Sequence, residues 1–444
     1  MLTAHDILTQ WQTRIRATRP VRLRGRIRQV VGLLLESTGP YVPIGELCSL
    51  RDSDGRELCK AEVVGFRDTT MLSMVLGEPA AIAPGMEIVA SGRPLTVRVG
   101  SSLLGRVLDG LGQPLDGKPL PPGLEERPVH ATPPNPLLRQ RVTQPIGTGI
   151  RAIDAFLTLG KGQRVGIFSG SGVGKSILLG MIARNTSADV NVIALIGERG
   201  REVRDFIEKD LQTEGLRRSV LVVATSDMPP LVRVKASLVA TTIAEYFRDH
   251  GFDVFYMMDS ATRLAMAQRE IGIAIGEPPT TKGYTPSVFS LLHRVMERAG
   301  TGVNGTITGL YTVLVEGDDL SEPIADAVRG ILDGHIVLSR RLAAQAHYPA
   351  IDILESVSRV MPDIVSAAHL QAAQSLKALL ATYRESEDLI NVGAYQPGTN
   401  PRLDRAIALR DALTTFLRQG IHESSLFEDT IASLLQVARE AEPT

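Results

Sequence analysis

Residues 169–176 read SGSGVGKS, between the apolar run RVGIFS and the segment KSILLGMIARN. A short strand, a glycine-rich turn and a helix start, in that order, form a phosphate-binding loop. The backbone N–H groups of Gly172, Val173, Gly174, Lys175 and Ser176 are expected to face a phosphate at the helix N-terminus. Lys175 supplies a point charge for the β- and γ-phosphates, and the Ser176 hydroxyl suits Mg²⁺. Gly170, Ser171 and Ile177 complete the expected nucleotide contacts. Ser169 stands where the usual pattern begins with glycine. It ends a strand, so no positive φ is demanded there.

Such a loop requires a sheet around it, and the flanking sequence supplies one. The runs VNVIALIGE, SVLVVATS, DVFYMMD, ITGLYTVLV and HIVLS alternate with helical segments. Nearly continuous apolar strands separated by helices indicate a parallel sheet covered on both faces. A chain of 444 residues exceeds one ordinary domain, and its pattern changes along its length. Residues 1–21 form an expected helical segment with Ile7, Leu8, Trp11 and Ile15 on one face. Residues 22–95 read as short strands of a small barrel or sandwich. Residues 96–360 form the α/β core, entered through the proline-rich stretch HATPPNPLLRQRVTQP, and residues 361–444 have the apolar spacing of helices.

Two acidic residues sit where ligand chemistry gathers in a parallel sheet, at the carboxyl ends of strands. Glu198 follows NVIALIG and is placed to orient or deprotonate a water attacking a γ-phosphate. The neighbouring Arg199 compensates phosphate charge, holds Glu198, or belongs with Glu202 and Arg204 to a salt-bridged helix start. Asp259 closes DVFYMMD, the usual position of the acid that holds Mg²⁺ through water.

The formal net charge is −1, so no global field selects nucleic acid or an anionic membrane. Seven arginines without an acid lie between Arg14 and Arg28, and Arg22, Arg24, Arg26 and Arg28 alternate along one strand face. The two cysteines, Cys48 and Cys59, have no metal-ligand spacing. No apolar run approaches the ~20 residues of a membrane span, and the N-terminus has no signal-peptide pattern, so a cytoplasmic protein is expected.

The stretches GSGVGKS, LIGERGREVRDFIE, MMDSATRLAMAQREIG and HYPAIDILESVSRVM resemble the F1-type rotary ATPase superfamily. YTVLVEGDDLSEPIAD and ILDGHIVLSRRLA are similar to motifs of its type III secretion ATPases, and the resemblance spans almost the whole chain. It implies an N-terminal β-barrel, a RecA-like P-loop core and a C-terminal helical domain, with ATP and Mg²⁺ as ligands. It assigns Tyr348 to stacking on adenine and Arg359 to an arginine finger reaching a neighbouring subunit's γ-phosphate. A plain core tyrosine and a helical ion pair of Arg359 with Glu355 are the alternatives. Thr285 and His293 replace prolines common in the family.

Glu198 and Arg359 lie in one chain, so copies of this chain alone complete a site, and a homohexameric ring is expected. The resemblance further implies a stator-like regulatory protein, a central-stalk protein, secretion chaperone–effector complexes and an export gate at the inner membrane, with the enzyme peripheral to that membrane. The activity it implies is ATP hydrolysis that releases chaperones, unfolds substrates and exports them, in an injectisome; the flagellar export ATPase is the nearest alternative. An ATP synthase catalytic subunit borrows its finger, against Arg359. An RNA-translocating ring requires aromatic residues on its basic oligonucleotide fold, and the barrel zone offers only Tyr41 and Phe66. A non-catalytic nucleotide scaffold is disfavoured by Glu198.

Overall fold

The computed structural model describes residues 21–77, 82–315, 317 and 319–440, with Leu8 and Trp11 as isolated positions. The expected helical segment 1–21 therefore lies almost wholly outside the described residues. Two compact units result.

The first unit is a closed barrel of six strands in the order β1-β2-β5-β4-β3-β6. They are β1 (Arg24–Val31), β2 (Leu34–Thr38), β3 (Glu46–Arg51), β4 (Glu57–Arg67), β5 (Thr70–Val75) and β6 (Glu87–Pro94). Period-2 alternation places side chains on opposite faces. In β1, Gly25 and Ile27 point inward while Arg24, Arg26 and Arg28 are exposed. Ile27, Leu35, Leu50, Val63, Met71 and Ile88 fill the interior. Closure decides between barrel and sandwich, and it removes the edges that an open sheet leaves unpaired. Arg24 pairs with Glu87 at 3.3 Å across β1 and β6.

The second unit is built on a sheet of nine strands among the described residues. Its principal strands are β7 (Val107–Asp109), β8 (Arg164–Ser169), β9 (Val190–Ile196), β10 (Ser219–Ala224), β11 (Asp253–Asp259), β12 (Thr306–Leu314), β13 (Gly334–Leu338) and β14 (Ile351–Ser358). They run in the order β14-β13-β8-β12-β11-β9-β10-β7. All neighbours are parallel except β13 and β14. Buried on both faces, β9 and β10 are apolar at almost every position, as parallel strands must be. The edge strand β7 precedes the proline-rich stretch, so the sheet begins earlier in the chain than that connector suggests.

Helices used below are α1 (Arg151–Phe156), α2 (Lys175–Asn185), α3 (Pro230–Asp249), α4 (Ala261–Ile275), α5 (Ala367–Asn391), α6 (Pro401–Leu417) and α7 (Phe427–Glu440). α3 is buried along most of its length, charged residues included. Its Glu245 meets Arg298, which is 1% exposed, through bonds of 2.8 and 2.6 Å; Thr242 and the Val129 carbonyl each take one further guanidinium donor. A charge this deep is tolerable only when paired and hydrogen-bonded. Leu376 of α5, Leu413 and Phe416 of α6 and Leu434 of α7 join the same apolar cluster as Ile167 and Ile182 of the core. Among the described residues, 96–273 and 277–440 thus form one compact unit.

Candidate functional site

The loop 170–174 connects β8 to α2. Gly172 and Gly174 have φ of 80° and 90°, where a β-carbon is strained. Turning the chain twice in this way brings its N–H groups round to the start of α2, where the helix dipole adds to their field. Gly170 and Val173 are buried, Ser171, Ser176 and Ile177 are exposed, and Gly174 and Lys175 lie between. Ser169 is the last residue of β8, and its hydroxyl is buried without a hydrogen-bond partner.

The strand order sets the distances. β12 lies between β8 and β11, and β9 follows β11, so three strand ends converge on one edge of the sheet. There the Lys175 ammonium is hydrogen-bonded to Asp259 Oδ1 and lies 3.8 Å from Glu198 Oε1. Thr312 on β12 donates to the same Asp259 oxygen at 2.6 Å. The side chains of Lys175, Glu198 and Asp259 are 13%, 14% and 5% exposed. Burial, and then the charge of Asp259, push the Glu198 carboxyl up to about 7, against the opposing pull of Lys175. Ser176, Asp259 and Glu198 offer only hard oxygen donors. Among the described residues no cluster of three or more His, Cys, Asp or Glu forms a metal cage. That donor set fits Mg²⁺, which keeps its waters and takes phosphate oxygens as ligands.

Arg199 is placed differently. It begins the helix Gly200–Asp205, its side chain is 79% exposed, and its guanidinium pairs with Glu202 at 3.5 Å. Arg359 follows β14 and is exposed. Glu355 belongs to the strand itself, so the helical pair of Arg359 with Glu355 has no geometric basis; Glu355 lies 3.8 Å from Arg384. Thr285 is buried ahead of the helix Pro286–Met296, whereas His293 is exposed on it.

Beside the loop lies an apolar cavity of about 240 Å³. Val173, Gly174, Ile177 and Tyr348 line it together with Gly420 and Ile421, which come from the far end of the chain. The Tyr348 ring lies within about 3.5 Å of where a β-carbon on Gly174 would stand. A flat ring on an apolar wall next to a phosphate loop suits a stacked base. Gln419–Ile421 escape sequence reasoning because nothing local marks them; only the packing of α6 brings them there. Arg263 on α4 was also missed. Its side chain crosses Gly197, where an added β-carbon would stand 2.9 Å from its own, and its Nε is buried without a partner. The available signal was an arginine one turn after Asp259.

Residues 149–358 match the model of the ATP synthase alpha/beta family nucleotide-binding domain, and residues 27–92 that of its beta-barrel domain. Residues 365–436 match the T3SS EscN ATPase C-terminal domain. A flagellum-specific ATP synthase of Bacillus subtilis is 56% identical over 419 residues, covering 94% of this chain and 96% of the relative. A type 3 secretion system ATPase of Xanthomonas euvesicatoria is 51% identical over 442 residues, covering 99% and 100%. Among solved structures, the assembled ATPase EscN in complex with its central stalk EscO, from enteropathogenic E. coli, superposes with a TM-score of 0.86 at 46% identity, covering 93% of this chain and all of that one.

Proposed function

Because the chain belongs to the ATP synthase alpha/beta family, among the flagellar and type 3 secretion ATPases, we propose that its ATP hydrolysis is completed at the interface between copies of itself and drives type III protein export. The observation that carries this is the Lys175 ammonium set between Asp259 and Glu198 at the mouth of the phosphate loop.

The loop N–H groups and Lys175 hold the β- and γ-phosphates. Ser176 and Asp259 would hold Mg²⁺, which would supply charge neutralisation for the phosphate oxygens. Glu198 orients the attacking water and takes its proton; a carboxyl raised towards neutrality binds that proton more firmly than an ordinary one. Arg199 leaves Glu202 for the phosphates at small cost, since an exposed pair is worth about 0–1 kcal/mol. Tyr348 stacks on adenine. Arg359, exposed and outside the chain's own cluster, serves the neighbouring copy. Such a finger contributes roughly 10³–10⁵ in rate, so an isolated subunit hydrolyses ATP slowly and a closed homohexamer is the working unit.

The export system is an injectisome, with a central stalk, a stator-like regulator, chaperone–effector complexes and an export gate as partners. The ring works in the cytoplasm, at the inner face of the membrane. The match of residues 365–436 to the EscN C-terminal domain supports this. Among the described residues no helix is long and apolar enough to cross a membrane. The 56% identity with the Bacillus flagellar relative favours flagellar export as the second reading. Expression in strains lacking either ATPase decides: recovery of effector secretion without motility supports the injectisome, and recovery of motility alone rejects it.

A further inference from the structure

We infer that Gln419 is a positioning residue for the nucleotide base: it fixes Tyr348 from behind and so makes base affinity depend on the C-terminal helices. The inference rests on the nucleotide site proposed above.

Gln419 follows the end of α6 and is 5% exposed, yet it lines the base cavity. Its amide is fully committed. Oε1 accepts from the Arg151 N–H at 2.9 Å, and Nε2 donates to the carbonyls of Gly149 at 2.7 Å and Glu423 at 2.9 Å. A reversed amide would set NH₂ against an N–H and oxygen against two carbonyls, so the network allows one orientation. With both donors in use, the side chain has none left for a purine edge.

Its influence on the base runs instead through its backbone, where the Gln419 N–H donates to the Tyr348 carbonyl at 2.9 Å. That bond fixes the main chain from which the Tyr348 ring, in a residue 45% exposed, projects over the loop. The anchoring point is itself rigid. Gly149 adopts φ of 75° with Asn185 packed where a β-carbon would go, and its N–H donates to the fully buried Asp154 at 3.0 Å. Arg151 adds bonds to the Phe416 carbonyl at 2.8 Å and to the Arg418 carbonyl, gripping the end of α6. One residue thus joins the start of α1, the turn after α6 and the main chain of the base-stacking tyrosine, three segments remote in sequence.

The test uses the full chain carrying Gln419→Leu, which is close in size and lacks the amide. ATP and tripolyphosphate, which has no base, are titrated with Mg²⁺ by calorimetry alongside steady-state kinetics. Three polar groups lose a partner, the Gly149 carbonyl in a buried pair and the Arg151 N–H and Glu423 carbonyl in part-buried ones. The expected result is a KM for ATP raised roughly tenfold, kcat within about twofold, and tripolyphosphate affinity unchanged. Gln419→Glu carries the test if the leucine variant does not fold. Facing two carbonyls, its buried carboxyl favours the protonated form, which keeps one donor. Its ATP affinity should therefore approach the wild-type value at pH 6 and fall at pH 8, with tripolyphosphate again indifferent. Unchanged ATP affinity in both variants overturns the inference, and so does equal weakening of ATP and tripolyphosphate. A wild-type protein that binds no more tightly to ATP than to tripolyphosphate also overturns it. Wild type that binds ATP without hydrolysing it sinks the hydrolytic mechanism and leaves this inference standing.

Discussion

The Lys175 ammonium rests on the Asp259 carboxylate, with the Thr312 hydroxyl 2.6 Å from the same oxygen. A cation that must meet incoming phosphates is held on the acid that must meet their metal. Both groups are more than four-fifths buried, where attraction between them is far stronger than in water.

Lys175→Ala removes the only ammonium of that cluster. Phosphate release is expected to fall by roughly 10²–10³, the usual loss when one transition-state charge donor is deleted. A colorimetric phosphate assay at saturating ATP measures it.

Glu198→Gln keeps size and hydrogen bonding but loses the base. Turnover should drop by roughly 10²–10⁴ while ATP affinity stays within about twofold. Unchanged turnover would reject the role given to Glu198.

The raised Glu198 carboxyl predicts the pH profile. A base acts when deprotonated, so kcat/KM, which reports the free enzyme, should climb as pH rises through about 7 and level off above it. An ordinary carboxylate would instead give a flat profile from about pH 5.5 upward. Initial rates between pH 5.5 and 8.5, in protein shown to stay folded, distinguish the two.

Mixing Glu198→Gln subunits with Arg359→Ala subunits should restore activity above either parent, because some interfaces then carry an intact Glu198 and an intact finger. Mixed rings with no recovery would defeat the shared-site arrangement.

Arg298→Met should cost about 3–5 kcal/mol, since Glu245, its side chain 9% exposed, is left as an uncompensated charge. Adding Glu245→Met should return much of that loss. Thermal melting of both variants checks the sign.

The phosphate loop, Glu198 and Asp259 were legible because each is marked by its covalent neighbours: an apolar strand before, a glycine turn or helix start after. The sheet was legible for the same reason, since a strand buried on both faces is apolar along its length. Arg199 shows the limit of that logic. Adjacency in sequence to Glu198 left three roles open, a phosphate partner, a hold on Glu198 or a salt-bridged helix start, and in this chain the guanidinium pairs with Glu202. Arg298 and Glu245 carry no mark in the sequence, because a buried ion pair between distant segments has no local pattern.

The sequence by itself determined what kind of group binds here and which chemistry waits for it, since a phosphate loop and strand-end acids are built within a few residues of backbone. Only the tertiary structure decided the rest. It closed the barrel, and it bent Gln419 and Ile421 back onto Gly174 and Tyr348, because apolar faces of α5, α6 and α7 had to be buried against the core. Burial of that kind is proportional to area and indifferent to sequence order, so the base pocket it creates leaves no mark in any single stretch of the chain.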